Sequence, residues 1–281
     1  MLSWRIALRF LRSSRAQSVL IISGIAVGIA VQIFVGSLIT SLQANLIDTT
    51  VGSSSQVTIT DRTQGDPVVY TTRMQEVITA DSRVKPGAVA PVRTISGLYT
   101  TPNNESAPLN LKGGELTNLD AIYGISEKIV QGKASLGANE ILVGTDFAQK
   151  YNVRVGESIG LILQGNRRAT PKVVGIFDLG ASAVNERQAF VSSELPRSVL
   201  GWRSDQYSAI ETQMNKPFDS SAVASDWRQK LGPTVDVVDW QAQNADLLTA
   251  LQSQSSSSYM IQVFVLIAVA LGIASTLAIP R

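Results

Sequence analysis

Two long apolar stretches dominate the pattern of hydrophobic and polar positions along this chain of 281 residues. They run over Val19–Ile39 and Tyr259–Ile279, and neither contains a charged side chain. An α-helix rises about 1.5 Å per residue, so each stretch is long enough to cross the ~30 Å hydrocarbon layer of a bilayer once. The pattern predicts two transmembrane helices, over residues 16–42 and 259–279, around a folded region over residues 43–258.

The region between the apolar stretches mixes two periodicities, which predicts an α+β fold. Short runs that alternate or are rich in β-branched residues, separated by Gly, Asn and Asp, indicate strands. They are Gln56–Thr60, Val89–Thr100, Ala107–Lys112, Glu140–Val143, Ser158–Leu163, Lys172–Phe177, Gln188–Ser192, Tyr207–Gln213 and Val235–Val238. Helical spacing predicts helices at Thr71–Ala80, Asp146–Tyr151, Ser193–Leu200 and Asp219–Lys230.

The segment over residues 239–258 leads into the second apolar stretch and is predicted to be a helical stalk. Asp239 is a suitable N-cap, and apolar residues recur at three-residue steps after it. They are Ala242, Ala245, Leu248 and Leu251. The alternative is a hinge at Ser255–Ser258, because serine hydroxyls compete with the helix for backbone groups.

The arginines before the first apolar stretch predict the topology. They are Arg5, Arg9, Arg12 and Arg15, and no acidic residue precedes Asp48. By the positive-inside bias, the N-terminus and the end at residues 280–281 are expected in the cytoplasm, and the middle region outside it. A cleaved signal peptide is the alternative, but its apolar part normally covers only about 7–15 residues.

The first fifteen residues predict an amphipathic helix in the membrane interface. Arg5, Arg9 and Arg12 share one helical face, while Trp4 lies elsewhere, so the guanidinium groups can meet lipid headgroups. The simpler interpretation is that these arginines only set the topology.

Small residues recur at four-residue spacing in both apolar stretches. They are Gly24 and Gly28 in the first, and Ala268 and Gly272 in the second. Because lipid provides no hydrophobic drive for helix association, close approach at small residues supplies the packing. We therefore expect these residues to contact other helices, with the mid-stretch amides of Gln32 and Gln262 available for hydrogen bonds between helices.

Composition excludes several kinds of chemistry. The chain has no cysteine and no histidine, which removes disulfides, thiolate nucleophiles, Ser-His-Asp triads and His- or Cys-based metal sites. Of the 24 basic residues, five lie at the two ends, which leaves 19 against 22 acidic residues, so no nucleic-acid surface is expected. Gly132-Lys133-Ala134 lacks the first glycine and the hydroxyl of a phosphate-binding loop. We expect no catalytic residue, cofactor site or metal site, and no enzymatic activity.

Several runs, in order, resemble the N-terminal half of an ABC transporter permease of the MacB/LolC/FtsX type. The first is Trp4-Arg5-Ile6-Ala7-Leu8-Arg9, before the first apolar stretch. The others are Leu116-Thr117-Asn118-Leu119-Asp120, Gly132-Lys133-Ala134, Asn139-Glu140-Ile141-Leu142-Val143-Gly144, Val153-Arg154-Val155-Gly156-Glu157, Val174-Gly175-Ile176-Phe177-Asp178-Leu179-Gly180 and Ala274-Ser275-Thr276-Leu277-Ala278-Ile279. Each run alone is a pattern of low specificity that often contains glycine. The order of the runs between two apolar stretches is what carries the resemblance.

The resemblance implies an extracytoplasmic domain with a porter-like α/β part and an inserted β-rich part. The porter-like part would comprise about residues 53–100 and 206–238, and the insertion about residues 101–205. Permeases of this type have four membrane spans and a cytoplasmic coupling helix, so a chain that ends at Pro280-Arg281 is expected to be a fragment.

The resemblance also implies partners and a mechanism. Such permeases are inner-membrane proteins that pair with a second permease subunit, as homodimers or heterodimers, and with a cytoplasmic ATPase that holds the ATP and Mg²⁺. ATP binding moves the outer domains through the long second helix, for lipoprotein release or for export and efflux. We expect contacts with lipid and with a lipoprotein or periplasmic partner, and favour lipoprotein handling. The alternative is a two-span receptor whose outer domain senses a small molecule.

Overall fold

The structure is a computed structural model that describes residues 15–52, 54–63, 65–101 and 106–278. The described residues form two compact units. The core domain is Ile47–Asn244, and the helix pair consists of the residues up to Leu46 together with those from Ala245.

The described helices are α1 (Arg15–Val51), α2 (Thr72–Thr79), α3 (Leu116–Tyr123), α4 (Thr145–Tyr151), α5 (Ser182–Arg187), α6 (Glu194–Leu200), α7 (Ser220–Leu231), α8 (Trp240–Gln243) and α9 (Ala245–Ala278). The strands are β1 (Val57–Asp61), β2 (Val68–Val69), β3 (Val84–Thr100), β4 (Ser106–Gly113), β5 (Ile129–Gly132), β6 (Glu140–Gly144), β7 (Leu161–Leu163), β8 (Arg167–Ala169), β9 (Lys172–Phe177), β10 (Gln188–Val191), β11 (Gln206–Tyr207), β12 (Ala209–Met214) and β13 (Val235–Asp239). Short 3₁₀ turns cover Ser126–Lys128, Gln164–Asn166 and Pro217–Asp219.

Helices α1 and α9 contain most of the two apolar stretches. Within the part of the chain that the structure describes, no helix combines the length and the apolar character needed to cross a bilayer. The interfacial helix predicted over residues 1–15 lies outside the described residues, apart from Arg15 at the start of α1.

The stalk region differs from the single helix predicted after Asp239. Asn244 has φ −117° and ψ 32°, and it separates α8 from α9. Both its backbone N–H (3.0 Å) and its side-chain amide (2.8 Å) donate to the carbonyl of Trp240, which closes the short helix. Helix α9 then runs without interruption through Ser255–Ser258. Ser257 and Ser258 donate to carbonyls four residues earlier, so these hydroxyls are satisfied within the helix.

One long strand organises the core domain. The strand order of the main sheet is β13-β1-β12-β3-β4-β10-β6-β9-β5, and a β7–β8 ribbon also pairs with β3. Residues Val84–Val92 of β3 pair with β12, whereas Arg93–Thr100 pair with β4. We call the β13-β1-β12 side the first sheet segment and the side from Arg93 onward the second sheet segment. The partner change thus lies within β3, whereas the resemblance placed the start of the insertion after Thr100.

Three buried clusters fill the core domain. Helices α2 and α7 cover one face of the first sheet segment, where Ile59, Ile78 and the fully buried Trp227 pack together. Helix α3 covers the opposite face, packing Leu119 and Ile122 against alanines of β3. The third cluster lies within the second sheet segment. The sheet is therefore a middle layer with helices on both faces, as expected when both faces of its strands are apolar.

Gly144 gives a test of this packing, because a Cβ there would lie 2.1 Å from the carbonyl oxygen of Asn185. We expect Gly144→Ala to lower the free energy of unfolding by roughly 2–4 kcal/mol, since backbone must move to admit the methyl group. Gly160 has open space around its Cβ position, so Gly160→Ala should stay within about 0.5 kcal/mol of the unchanged protein. Urea unfolding followed by circular dichroism measures both, and equal effects would contradict the close approach.

Candidate functional site

The chain enters and leaves the core domain at one place, which we call the attachment site: Val51–Gln56 and Asp239–Gln243. Strands β1 and β13 pair antiparallel, with Val57 opposite Asp239, and this pairing sets the two segments side by side. The N–H of Trp240 donates to the carbonyl of Gln56 at 3.0 Å, which extends the ladder by one residue. Both connections to the flanking helices therefore arise from neighbouring strands.

The segment that leaves the domain is held by its cap and by two aromatic side chains. The buried carboxylate of Asp239 accepts from the N–H groups of Gln241 and Ala242, at 3.0 and 3.1 Å, and so caps α8 as predicted. Trp240 is buried, and its Nε1 donates to the carbonyl of Pro217 at 2.7 Å. The rings of Trp240 and Phe218 meet edge to face at 5.4 Å. This segment is thus fixed to the 3₁₀ turn between β12 and α7.

The segment that enters the domain is held by buried polar groups of β12. Helix α1 ends at Val51, whose side chain is 1% exposed. The amide of Gln213 donates to the carbonyls of Gly52 (3.1 Å) and Ser54 (3.2 Å). Gln56 accepts from the N–H of Met214 at 2.7 Å through its side-chain oxygen. The carbonyls of Gly52 and Ser54 thus have a side-chain donor, and Gln56 is tied to β12.

A buried ion pair joins the two sheet segments next to this site. Lys112 Nζ on β4 lies 2.6 Å from Glu211 Oε1 on β12, with side-chain exposures of 15% and 9%. The hydroxyl of Tyr123, at the end of α3, accepts from Lys112 and donates to Glu211 Oε2 at 2.5 Å. Burial, reinforced by the negative charge of Glu211, raises the pKa of the Tyr123 phenol well above its ordinary value. The phenol therefore keeps its proton, and the three groups form a closed network.

Arg93 holds a second junction, at the point where β3 changes partner. Its side chain is buried, and its Nε and Nη2 donate to the carbonyls of Gln206 (2.8 Å) and Ser204 (2.7 Å). Nη1 donates to the hydroxyl of Ser193, and the guanidinium lies 4.1 Å from the centre of the Tyr207 ring. Arg93 thus fastens the loop before β11 and the start of α6 to the shared strand.

Each of the two helices of the helix pair has one stripe of less exposed residues. Along α1 the less exposed residues form a stripe at helical spacing: Gly28, Gln32, Val35, Gly36 and Ile39. On α9 the corresponding stripe is Ser258, Gln262 and Val265. A Cβ placed on Gly36 would lie 3.5 Å from Nε2 of Gln262, so the two stripes meet at this point.

The predicted small residues therefore have different surroundings. Gly28 lies in the α1 stripe, whereas Ala268 is exposed on α9. Gly24 and Gly272 lie on the same two helices, and their surroundings are outside what the structure describes. Arg5, Arg9 and Arg12 also lie outside the described residues.

The runs that carry the family resemblance form turns and close approaches. Asp178 accepts from the N–H of Gly180 (2.8 Å) and from Asn185 (2.7 Å), and these bonds hold the pKa of its carboxyl below the ordinary value. The backbone of Asn185 in turn packs against Gly144. Glu140 accepts from Ser135 and from the N–H of Gly137, with the same effect on its pKa. Hydrogen bonds to the charged form explain both shifts. The Asp178 and Glu140 side chains of these runs therefore stabilise turns within the fold.

The roles of the polar side chains at the attachment site were not predicted from the sequence, because the residues of β12 contact partners that are far away along the chain. Gln213 lies 91 residues from Ile122, whose carbonyl accepts from Gln213 Nε2 at 2.6 Å. Lys112 and Glu211 lie 99 residues apart. The sequence offered no signal for their burial, because a strand covered on both faces is ordinarily apolar, whereas Glu211, Thr212 and Gln213 are polar and yet buried.

A family model described as MacB-like periplasmic core domain matches residues 18–230 of this chain. Among curated proteins, the lipoprotein-releasing system transmembrane proteins LolC of Xylella fastidiosa, strains Temecula1 and 9a5c, are each 24% identical over 274 residues. Each alignment covers 91% of this chain and 64% of the relative, so the chain spans just under two thirds of the length of these relatives.

Two solved structures are similar to the chain. The periplasmic region of MacB from Actinobacillus actinomycetemcomitans matches with a TM-score of 0.47 and 11% identity, over 69% of this chain and 93% of that one. The extracellular domain of the noncanonic ABC-type transporter YknZ from Gram-positive bacteria matches with a TM-score of 0.43 and 13% identity, over 66% of this chain and all of that one.

The Lys112–Glu211 pair predicts strongly non-additive mutational effects. Removing either charge leaves the other buried, so Lys112→Met and Glu211→Met should each cost about 3 kcal/mol of unfolding free energy. The double variant should lose at least about 1 kcal/mol less unfolding free energy than the two single variants lose in sum. Urea unfolding of the unchanged protein, the two single variants and the double variant measures these free-energy changes. Lys150→Met, which removes the exposed pair with Glu186, is the control and should change little. Additive effects would show that the buried pair is not coupled.

The α1 stripe predicts that Gly28 tolerates no large side chain. The chain has no native cysteine, so a disulfide between Gly36→Cys and Gln262→Cys reports the contact between α1 and α9 directly. Adding Gly28→Leu should lower the yield of this disulfide severalfold, because the leucine separates the helices. Ile29→Leu, at an exposed neighbouring position, should leave the disulfide yield unchanged. Equal yields for the Gly28→Leu and Ile29→Leu variants would contradict packing at Gly28.

Proposed function

We infer the function of this chain from its family: it belongs to the MacB-like periplasmic core domain family, whose model covers residues 18–230. We propose that it is a permease component of an ABC transporter of the MacB/LolC/FtsX type. The match over most of the chain is the observation that carries this proposal, and it favours a permease over a two-span receptor. The LolC relatives, which are named as lipoprotein-releasing transmembrane proteins, support the same assignment.

The protein is proposed to reside in the inner membrane with the core domain on the outer side. The support comes from the sequence: two uncharged apolar stretches enclose the core domain, and four arginines precede the first of them. In this arrangement Arg15 lies on the cytoplasmic side.

ATP hydrolysis is proposed to occur in a separate cytoplasmic subunit, with a second permease subunit completing the assembly. Motion of the membrane helices would reach the core domain at the attachment site, where both connections arise from neighbouring strands. The buried hydrogen bonds of this site suit the transmission of a displacement, because they tie the connections to the sheet instead of leaving them as free linkers. The cargo is proposed to be a lipoprotein, on the likeness to LolC alone.

A topology measurement tests the proposed location. An alkaline phosphatase reporter fused after Gln43 should be active outside the cytoplasmic membrane, whereas one fused after Arg15 should be inactive, since only the first would be exported. Equal expression of the two fusions, checked by immunoblot, is the control. Activity after Arg15 with none after Gln43 would overturn the proposed orientation.

The permease assignment has its own test. When the full permease is purified in mild detergent from its native membrane, an ABC ATPase should accompany it, and the complex should hydrolyse ATP. A receptor would instead purify without ATP hydrolysis and show a stability shift with a small molecule.

A further inference from the structure

Strand β12 carries two buried polar side chains toward α3. Glu211 is 7% exposed and Gln213 is 4% exposed. Residues two apart on a strand share a face, so both lie opposite Ile210 and Met214, which pack under α2 and α7. A buried amide or carboxylate is costly unless it is hydrogen-bonded, and both of these groups are bonded to α3.

The Gln213 amide joins two distant parts of the chain. Its Nε2 donates to Ile122 O (2.6 Å) in the last turn of α3, and to Gly52 O (3.1 Å) and Ser54 O (3.2 Å) directly after α1. An amide nitrogen carries two hydrogens, so these three carbonyls share them. Displacement of Gly52 or Ser54 therefore changes how these hydrogens are shared and so alters the bond to α3.

Glu211 continues this connection into the second sheet segment. It accepts from Tyr123, the residue after Ile122, and from Lys112 on β4. Helix α3 is thus held to β12 at two successive residues, and the same carboxylate binds a strand of the second sheet segment.

The segment that leaves the core domain has different partners. Trp240 and Gln241 donate to Pro217 and Phe218 of the turn before α7, and the N–H of Trp240 donates to Gln56. These bonds hold it to the first sheet segment. The segment after α1 is also held to β12, through Gln56 and Met214, and the side-chain amide of Gln213 links it in addition to α3.

We propose that Gln213 and Glu211 form a relay that carries a displacement of the segment after α1 to α3 and, through Lys112, to the second sheet segment. In this scheme Gln213 is a positioning residue, and the first helix, not the second, is the main input to the inserted part of the domain. The direction of the signal rests on the proposed function; the connection itself does not.

The connection is tested by hydrogen–deuterium exchange on the full chain in detergent micelles. Gln213→Met keeps the length and shape of the side chain but removes the donors. Exchange should rise about fivefold to tenfold both around Gly52–Gln56 and at the end of α3, while α7 keeps its protection. Gln229→Met, at an exposed position of α7, is the matched control and should change neither segment. Increased exchange in only one segment, or in neither, would overturn the relay.

Transmission is tested by a fluorophore on Glu127→Cys, an exposed residue just after α3, in the full permease with its ATPase. ATP should shift the emission in the otherwise unchanged protein, and Gln213→Met should reduce the shift at least twofold at an unchanged rate of ATP hydrolysis. An undiminished shift in Gln213→Met would overturn the relay. If the otherwise unchanged protein gives no shift, the proposed function fails, and the exchange experiment alone then decides whether the connection exists.

Discussion

The geometry of the core domain depends on strand β3, which belongs to both sheet segments. Its first nine residues pair with β12 and the remainder pair with β4 and β7, so one continuous backbone carries both sets of hydrogen bonds. Its pairing with β12 is interrupted by an irregularity between Val84 and Val89, whereas its pairing with β4 is continuous over Arg93–Thr100. The two segments are therefore joined by main chain and not by a flexible linker.

Buried polar side chains stabilise this junction at three places along its length. Arg93 fastens the loop before β11, the Lys112–Tyr123–Glu211 network joins β4, α3 and β12, and Gln213 adds the segment after α1. Each of these side chains has at least two hydrogen-bond partners, and a buried polar network with such partners favours one arrangement of its parts. The apolar clusters supply most of the burial, and the polar groups select how the two segments are aligned.

This arrangement suits a domain that moves as a body when its connections are displaced. Both connections to the flanking helices arise from β1 and β13, and the packed sheet spreads a local displacement over many bonds. The chain belongs to the MacB-like periplasmic core domain family, and firm attachments of this kind are consistent with the function proposed for it.

Many local elements and the order of the parts can be predicted from the amino-acid sequence alone. Strand β9 has the predicted limits Lys172–Phe177, α4 and α7 lie within a residue or two of prediction, and Asp239 caps a helix as expected. These features depend on periodicity and on caps, which are read from residues only a few positions apart.

Three features become visible only in the folded chain: the partner change inside β3, the placement of α3 on the first sheet segment and the break at Asn244. At the break the backbone of Asn244 leaves the helical conformation, and its side-chain amide donates to Trp240, whose indole is anchored to a turn more than twenty residues earlier. Gln213, Glu211 and Lys112 likewise acquire their roles from contacts across about ninety to a hundred residues. No local pattern encodes which distant carbonyl or charge a buried side chain meets, because that choice is made when the sheet and its helices pack.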